Sequence, residues 1–306
     1  MADRSPRRSR AVLITGCGSS TGLSSGTGQR AARLLHERGW EVYATGRSRE
    51  GLAPLAEAGL NTRLLDITDE SSMLETVHEI EARHGAVGVL INNAAYSLNG
   101  TFLDTPLSSV RQQFDTNLFG LVRLTQLVLP GMIAHRSGRV IMMSSIFGLF
   151  ATAGRGYYEA TKFALEAVSD ALRLEVRHLG IDVAIVEPSP IRGGFVPTSV
   201  TDLGLSDGGD PELYQQFWKY FVDWHGAYRE TEHPRGRGRG AVSADSVARV
   251  LVRAVETSSP KIRYKIGFPV RVLSTMRGVI GERGWDTFVR AFFPTPAKAL
   301  RAAAQQ

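Results

Sequence analysis

The sequence predicts a doubly wound parallel α/β sheet with helices on both faces. Three observations predict it: short, almost wholly apolar runs, helical-period segments that alternate with them, and a glycine-rich turn between the first run and the first helix. Val12–Ile14, Val89–Ile91 and Val140–Met142 are nearly all apolar, as strands covered on both faces must be. Strands that alternate with helices imply right-handed crossovers and parallel pairing.

The elements follow in order. Ala11–Thr15 reads as a buried strand that ends in glycines and serines. Gln29–Arg38 places Ala31, Ala32, Leu34 and Leu35 on a helical period, and Gly39 stops it. Glu41–Thr45 is a second strand, Ser71–His84 a helix, Val87–Asn92 a strand and Leu107–Leu129 a long helix. Arg139–Ser144 is a strand, Tyr158–Leu179 a helix and Asp182–Glu187 another strand. Between Phe195 and Ala241 the alternation stops, and the aromatic segment Tyr214–Tyr228 interrupts it. Val242–Glu256 is helical again, with Ser243 or Asp245 as its cap. This divides the chain into a basic tail (1–10), one domain (11–267) with an insert at about 195–241, and a C-terminal extension (268–306).

The 306 residues are 43% hydrophobic and 22% charged, enough apolar material for a sizeable core. The net charge is +6 and the pI about 9.7. Much of the excess sits in Arg4, Arg7, Arg8 and Arg10, and in Arg235, Arg237 and Arg239, which alternate with glycine. Both pieces read as solvated flexible segments, and no nucleic-acid partner is expected. The single cysteine, Cys17, makes the fold independent of oxidation. No run reaches about 18 apolar residues; the uncharged run Val140–Gly154 comes nearest. A cytoplasmic protein without an integral membrane segment or a metal site is expected.

A doubly wound sheet binds dinucleotides where its first strand meets its first helix, because glycines let the backbone approach a pyrophosphate that the helix N-terminus favours. Here that turn runs from Thr15 to Gly28. The second strand ends at Thr45-Gly46-Arg47, with no carboxylate before Glu50. A carboxylate there would select NAD by its ribose 2′-hydroxyl; the fork of Arg47 suits a 2′-phosphate, so NADP(H) is expected over NAD.

Tyr158 and Lys162 stand at i and i+4 on one helix face. A free phenol ionises too high to exchange protons easily near neutrality. A neighbouring cation lowers that value. Ser145 lies thirteen residues upstream, just past a strand, and Asn117 lies within the long helix. Tyr157 has Thr161 four residues on, not a lysine, and is excluded as the acid.

On these residues the chain resembles the short-chain dehydrogenase/reductase family in its single-domain form. The shared motifs run from Thr15 to about Phe195: the Thr15-Gly16 loop, Leu65-Asp66-Ile67-Thr68-Asp69, Asn92-Asn93-Ala94-Ala95, Asn117, Ser145, Tyr158, Lys162 and Pro188-Ser189-Pro190-Ile191-Arg192. The resemblance implies a Rossmann fold and these roles: Ser145 orients a carbonyl and Tyr158 is general acid or base. Lys162 lowers the Tyr158 pKa and binds the nicotinamide ribose, and Asn117 supports a water relay. It places Asp66 and Ile67 at the adenine and Asn93 and Ala94 near the ribose. Gly16, Ser25, Gly26, Thr27 and Gly28 line the pyrophosphate, and Pro188 and Ile191 the nicotinamide. The stretch Val242–Gly267 and the extension beyond it are similar to the retinol and hydroxysteroid dehydrogenase branch, which handles bulky apolar alcohols and ketones.

Three departures mark the chain. The turn from Thr15 to Gly28 is six residues longer than the family pattern Thr-Gly-x-x-x-Gly-x-Gly. The last loop glycine could be Gly22 or Gly28. Offsets to Gly39 and Arg47 select Gly28, so Gly18–Leu23 is an insertion that either bulges outward or reshapes the pyrophosphate site. Ala95 replaces a usual glycine, and Gly193 stands where a threonine is expected.

Phe217, Phe221 and Trp224 fall at i, i+4 and i+7, giving one aromatic face. They read either as packing against the sheet or as a lid over a large apolar substrate, hinged at Gly193, Gly194 and Gly204. The function expected is NADP(H)-dependent interconversion of a ketone and a secondary alcohol, as a ketoreductase for a steroid, retinoid or polyketide type of substrate. A cofactor-dependent epimerase and a non-catalytic NADP-binding regulator are the alternatives. Relatives commonly pair through the helices around Leu107–Leu129 and Tyr158–Leu179, so a homodimer or homotetramer is expected.

Overall fold

In the computed structural model the described residues are 8–18, 26–103, 105–192, 211–226 and 240–304. Strands β1 (Ala11–Ile14), β2 (Glu41–Gly46), β3 (Asn61–Leu64), β4 (Val89–Asn92), β5 (Gly138–Met143), β6 (Ile181–Pro188) and β7 (Arg263–Ile266) form one sheet of order β3-β2-β1-β4-β5-β6-β7. Every pairing is parallel. Val12 pairs with Val42 on one side and Val89 on the other, so the order reverses between β1 and β4. That reversal opens a crevice beyond the carboxyl ends of these two strands.

The helices are α1 (Thr27–His36), α2 (Arg49–Ala56), α3 (Glu70–His84), α4 (Leu107–Phe114), α5 (Gly120–Ala134), α6 (Gly156–Val176), α7 (Pro211–Gly226), α8 (Ala244–Glu256), α9 (Phe268–Phe292) and α10 (Pro296–Ala303). Alternation along β1 assigns the two cores. Val12 and Ile14 face Leu35 of α1 and Val247 and Leu251 of α8; Ala11 and Leu13 face Leu121, Leu124 and Val128 of α5 and Leu165 of α6. Ser243 caps α8, its hydroxyl accepting from the Ser246 N–H at 3.1 Å, while Asp245 pairs with Arg30 of α1 at 2.7 Å.

Several elements lie beyond the sequence expectations. These are helix α2, strand β3, edge strand β7 and the helices α9 and α10. Helices α4 and α5 form one continuous rod, Leu107–Ala134, with a wide π turn at Asp115–Phe119 between them. An 18-residue stretch of this rod has mean hydropathy 1.3, so the rod, rather than the uncharged run Val140–Gly154, is long and apolar enough to cross a membrane. Its apolar face is core: Leu121, Leu124, Val128 and Met132 are fully buried.

The basic tail needs a correction. Arg8 and Arg10 are not loosely solvated: Arg10 donates to the carbonyls of Arg38 and Gly39 and lies 4.8 Å from the Trp40 ring. Arg8 donates to the Val255 carbonyl at 2.7 Å. Arg8 thus meets a last-turn carbonyl of α8 that the helix itself leaves unpaired, and Arg10 the carbonyls of the turn that follows α1. Arg4, Arg7, Arg235, Arg237 and Arg239 lie outside the described residues.

Candidate active site

Two strand ends are tied together at the floor of the crevice. Thr15 Oγ1 accepts from the backbone N–H groups of Asn93 and Ala94, both at 2.9 Å. The Asn93 amide in return donates to the Thr15 carbonyl at 2.9 Å and to that of Gly16 at 3.3 Å. Gly16 has φ +73°, and a Cβ there would stand 2.8 Å from the Ala94 Cα. A Cβ on Gly28 would stand 2.8 Å from the Asn93 amide nitrogen. Side chains are thus excluded where the turn approaches Asn93. Gly26, in the left-handed region, precedes α1, and Thr27 and Gly28 form its first turn. Gly26-Thr27-Gly28 therefore sits at the helix N-terminus. Ser25 and residues 19–23 lie outside the described residues.

Cys17 and Gly18 run alongside the end of β2. The Cys17 N–H donates to the Thr45 carbonyl at 2.7 Å, and Gly18 lies against Gly46 and Gly51. A Cβ on Gly51 would stand 1.5 Å from the Gly18 oxygen, so three glycines permit this contact. The Cys17 thiol is buried and its pKa is pushed up to about 12. Arg47 emerges exposed beside this contact, and its charge opposes the upward shift that burial imposes on the Tyr96 phenol. Asp66, past β3, spends one carboxylate oxygen on the Thr68 N–H (2.9 Å) and hydroxyl (2.7 Å). The Ile67 carbonyl abuts Gly120 of α5.

The proton-handling residues come from three elements. Ser145 follows β5 and caps the short turn Ile146–Gly148, its hydroxyl accepting from the Phe147 N–H at 3.2 Å. Tyr158 and Lys162 stand one turn apart near the start of α6, both buried. Ser145 hydrogen-bonds the Tyr158 phenol. Lys162 Nζ donates to the Met143 carbonyl at 2.8 Å and lies 5.9 Å from the Tyr158 ring. Tyr157 stands outside, stacked on Phe102.

Asn117 occupies the π turn. Its side chain accepts from the Tyr96 N–H (3.0 Å) and donates to the Tyr96 carbonyl (2.8 Å) and the Thr161 hydroxyl (3.2 Å). It fastens the segment after β4 to α6 rather than reaching Tyr158 directly.

The electrostatics differ from the sequence expectation. The Tyr158 pKa is raised, because burial outweighs the Ser145 hydroxyl and the Arg155 guanidinium. Burial also brings the Lys162 ammonium down to about 8, opposed by Glu166.

Thr27, Asn93, Ser145, Tyr158, Lys162, Pro188 and Ile191 line one cleft. Gly16, Arg47, Asp66 and Ile67 are not among the lining residues: Gly16 lies beneath Asn93 and Ala94, Arg47 follows β2 and Asp66 and Ile67 follow β3. Sequence reasoning missed Phe147, Arg155 and His225 as further lining residues. Arg155 lies 4.7 Å from the Phe147 ring and 5.5 Å from that of Phe221. His225 Nδ1 meets the Phe221 carbonyl at 2.8 Å, so Nδ1 carries the proton. Burial and Arg155 hold its pKa well below the usual histidine value. Only the positions of Phe147 and Arg155, between Ser145 and Tyr158, hinted at them.

Aromatic packing closes one side. Phe217, Trp218 and Phe221 pack on Ala299 of α10 and on Ala153, so α7 rests on the extension and not on the sheet. Phe150 meets Trp285 and Phe293, and Trp224 meets Phe293. Gly193, Gly194 and Gly204 lie outside the described residues.

Comparison with known proteins agrees with this architecture. Residues 11–202 match the short chain dehydrogenase family. The chain is 32% identical over 254 residues to a 3-ketodihydrosphingosine reductase of Bacteroides thetaiotaomicron, covering 83% of this chain and 88% of that protein. It is 30% identical over 281 residues to human retinol dehydrogenase 8, covering 88% and 85%. A short-chain dehydrogenase structure from Streptomyces avermitilis superposes with TM-score 0.68 at 26% identity, covering 94% of this chain and 99% of that one. The chain belongs to the short-chain dehydrogenase/reductase family and resembles its retinol dehydrogenase branch. It is an oxidoreductase of a family that binds NAD(P).

Proposed function

We propose that this protein is an NADPH-dependent ketoreductase for bulky apolar ketones. The observation that carries this reading is the convergence of Ser145, Tyr158 and Lys162 on one cleft with Asn93, Pro188 and Ile191. The residues fit a nicotinamide dinucleotide: a Cβ at Gly16 or Gly28 would fill the approach to Asn93, and α1 offers its N-terminus there. Gly16, Ser25, Gly26, Thr27 and Gly28 would hold the pyrophosphate, Arg47 the 2′-phosphate, and Asp66 and Ile67 the adenine. Asn93, Ala94, Pro188 and Ile191 would hold the nicotinamide end. Bound there, the cofactor supplies a hydride to the carbonyl carbon.

The chain's own residues supply the rest. Ser145 donates a hydrogen bond to the substrate oxygen. Tyr158 gives that oxygen its proton and becomes a phenolate, which the Lys162 ammonium stabilises. Asn117 holds the Tyr96 segment and α6 in register behind them. The walls formed by Met143, Phe147, Trp224 and Ile191 favour an apolar substrate, and relatives named for a ketosphingoid and for retinol support the same class.

Leu107, Phe119 and Leu174 are exposed apolar side chains along α4–α6, which supports pairing of these helices in a homodimer in the cytoplasm. The test is NADPH consumption with a panel of long-chain and cyclic ketones. Tyr158→Phe lowers turnover by about 10²–10⁴-fold with cofactor binding retained. Full activity in that variant would remove Tyr158 from the mechanism.

A further inference from the structure

The cleft that holds Tyr158 has largely apolar walls, yet one guanidinium stands in them. Arg155 lines the cleft and is only 6% exposed. We propose that Arg155 anchors a carboxylate on the substrate, so that the cleft takes apolar keto acids in preference to plain ketones. The inference rests on the ketoreductase reading and names its substrate class.

Three observations carry it. First, the turn that carries Arg155 is built to seat it. Gly154, just before it, has φ +86°, and a Cβ there would stand 3.0 Å from Phe217 Cζ and Phe221 Cε2 of α7. The Gly154 carbonyl accepts from the Gly100 N–H at 2.9 Å. Glycine thus lets α7 close on this turn, and the Arg155 guanidinium lies 4.7 Å from the Phe147 ring and 5.5 Å from that of Phe221. A guanidinium set against ring faces keeps its N–H groups in its own plane, where a carboxylate can take two at once.

Second, the cleft is cationic. Among the described lining residues there is no carboxylate, and the cations are Arg155 and Lys162. Lys162 Nζ donates to the Met143 carbonyl. His225 turns Nδ1 to the Phe221 carbonyl at 2.8 Å, and burial keeps the ring neutral. Glu159, four residues after Arg155, has both oxygens bonded to Thr152, at 2.7 and 2.6 Å. Beside Phe147, Phe221 and Trp224 little water screens the guanidinium, so an entering carboxylate feels its charge strongly.

Third, Arg155 stands one turn before Tyr158 at the start of α6, and the Phe147 ring that it lies against is 6.5 Å from the Tyr158 ring. The cation and the proton donor thus flank one ring, which puts a bound carboxylate on the same side of the substrate as the reacting carbonyl. The proposed phosphate sites lie elsewhere, at the glycine turn, the N-terminus of α1 and Arg47.

The test separates the carboxylate from the chain that bears it. Dodecanoate and methyl dodecanoate are titrated into the NADP⁺-loaded protein by calorimetry, without turnover. Arg155→Met keeps an unbranched stem against Phe147 and Phe221 and removes the charge. It should raise the Kd of dodecanoate about tenfold or more and that of the ester less. Arg155→Lys, a cation without the fork, should fall between. In turnover, oxododecanoates are compared with their methyl esters. The wild-type chain should favour the acids, and Arg155→Met should cut the acid-to-ester ratio of kcat/KM about tenfold or more, mostly through KM. Arg277→Met removes an exposed cation of α9 and should leave that ratio unmoved; an equal fall there would mean a general field and no site at Arg155. Should Arg155→Met not fold, Arg155→Gln carries the same expectation. Equal losses for acid and ester in a folded variant overturn the proposal, as does a wild-type chain without preference for the acid. Weakened NADP⁺ binding with dodecanoate unmoved would overturn it too, giving Arg155 to the cofactor. Dodecanoate binding that is lost in Arg155→Met, while the wild-type chain reduces no keto acid, would support the carboxylate site and count against the ketoreductase reading alone.

Discussion

Asn93 and Thr15 hold each other by two hydrogen bonds across the β1/β4 crevice, each at 2.9 Å: the Asn93 N–H to Thr15 Oγ1 and the Asn93 amide to the Thr15 carbonyl, with the Ala94 N–H adding a third to Thr15 Oγ1 at 2.9 Å. The pair sets the floor on which the glycine turn lies. Asn93→Ala leaves the Thr15 and Gly16 carbonyls without that donor. It should cost about 1–3 kcal/mol of stability by denaturant unfolding. It should also weaken NADPH binding, measured by fluorescence titration, more than it raises KM for the ketone. Unchanged stability and affinity would show that the turn is held without Asn93.

Arg47 stands exposed beside the contact of Gly18 with Gly46. Arg47→Asp should lower kcat/KM for NADPH relative to NADH by about tenfold or more, the loss of one charge-assisted contact. Equal effects on both cofactors would mean that Arg47 does not meet the 2′-phosphate.

Trp224 lines the cleft and packs on Phe293. Trp224→Ala should raise KM for a long-chain ketone several-fold more than for a small one, because the small ketone never reaches that wall. A parallel rise in both would reduce Trp224 to packing alone.

Glu159 is buried beside Tyr158, its carboxylate accepting from the Thr152 N–H at 2.7 Å and bonded to the Thr152 hydroxyl at 2.6 Å. Burial raises its pKa from 4.5 to about 7. The folded chain thus binds this proton more tightly than the unfolded chain does. The contribution is whole below about 4.5 and is lost as pH rises toward 7. Glu159→Gln mimics the protonated acid and should flatten the fall in melting temperature between pH 5 and about 8. An unchanged slope would remove Glu159 as its source.

Short-range patterns made much of this legible. The apolar runs at Val12, Val89 and Val140 are strands because a parallel sheet buries both faces, and the four-residue step from Tyr158 to Lys162 survives folding because a helix fixes it. Ser243 and Asp245 were the two local candidates for the cap of α8, and Ser243 fills it. The weaker elements were silent for equally physical reasons. Strand β3 is only partly buried and shows no apolar run. Helix α9 bends at Gly281, and its mixture of arginine, glycine and apolar residues hides any period.

The sequence by itself determined the alternation of β1, β2, β4, β5 and β6 with helices, the glycine turn and the step from Tyr158 to Lys162, because each depends on neighbours a few residues away. Only the tertiary structure decided what surrounds them. Burial, not Lys162, dominates the Tyr158 phenol, the tail arginines Arg8 and Arg10 end on carbonyls of α8 and of the turn after α1, and α7 leans on α10. Glu166 is drawn to Arg263 across ninety-seven residues of chain. Desolvation and ion pairing depend on which distant segments exclude water from a group, and no local pattern carries that information.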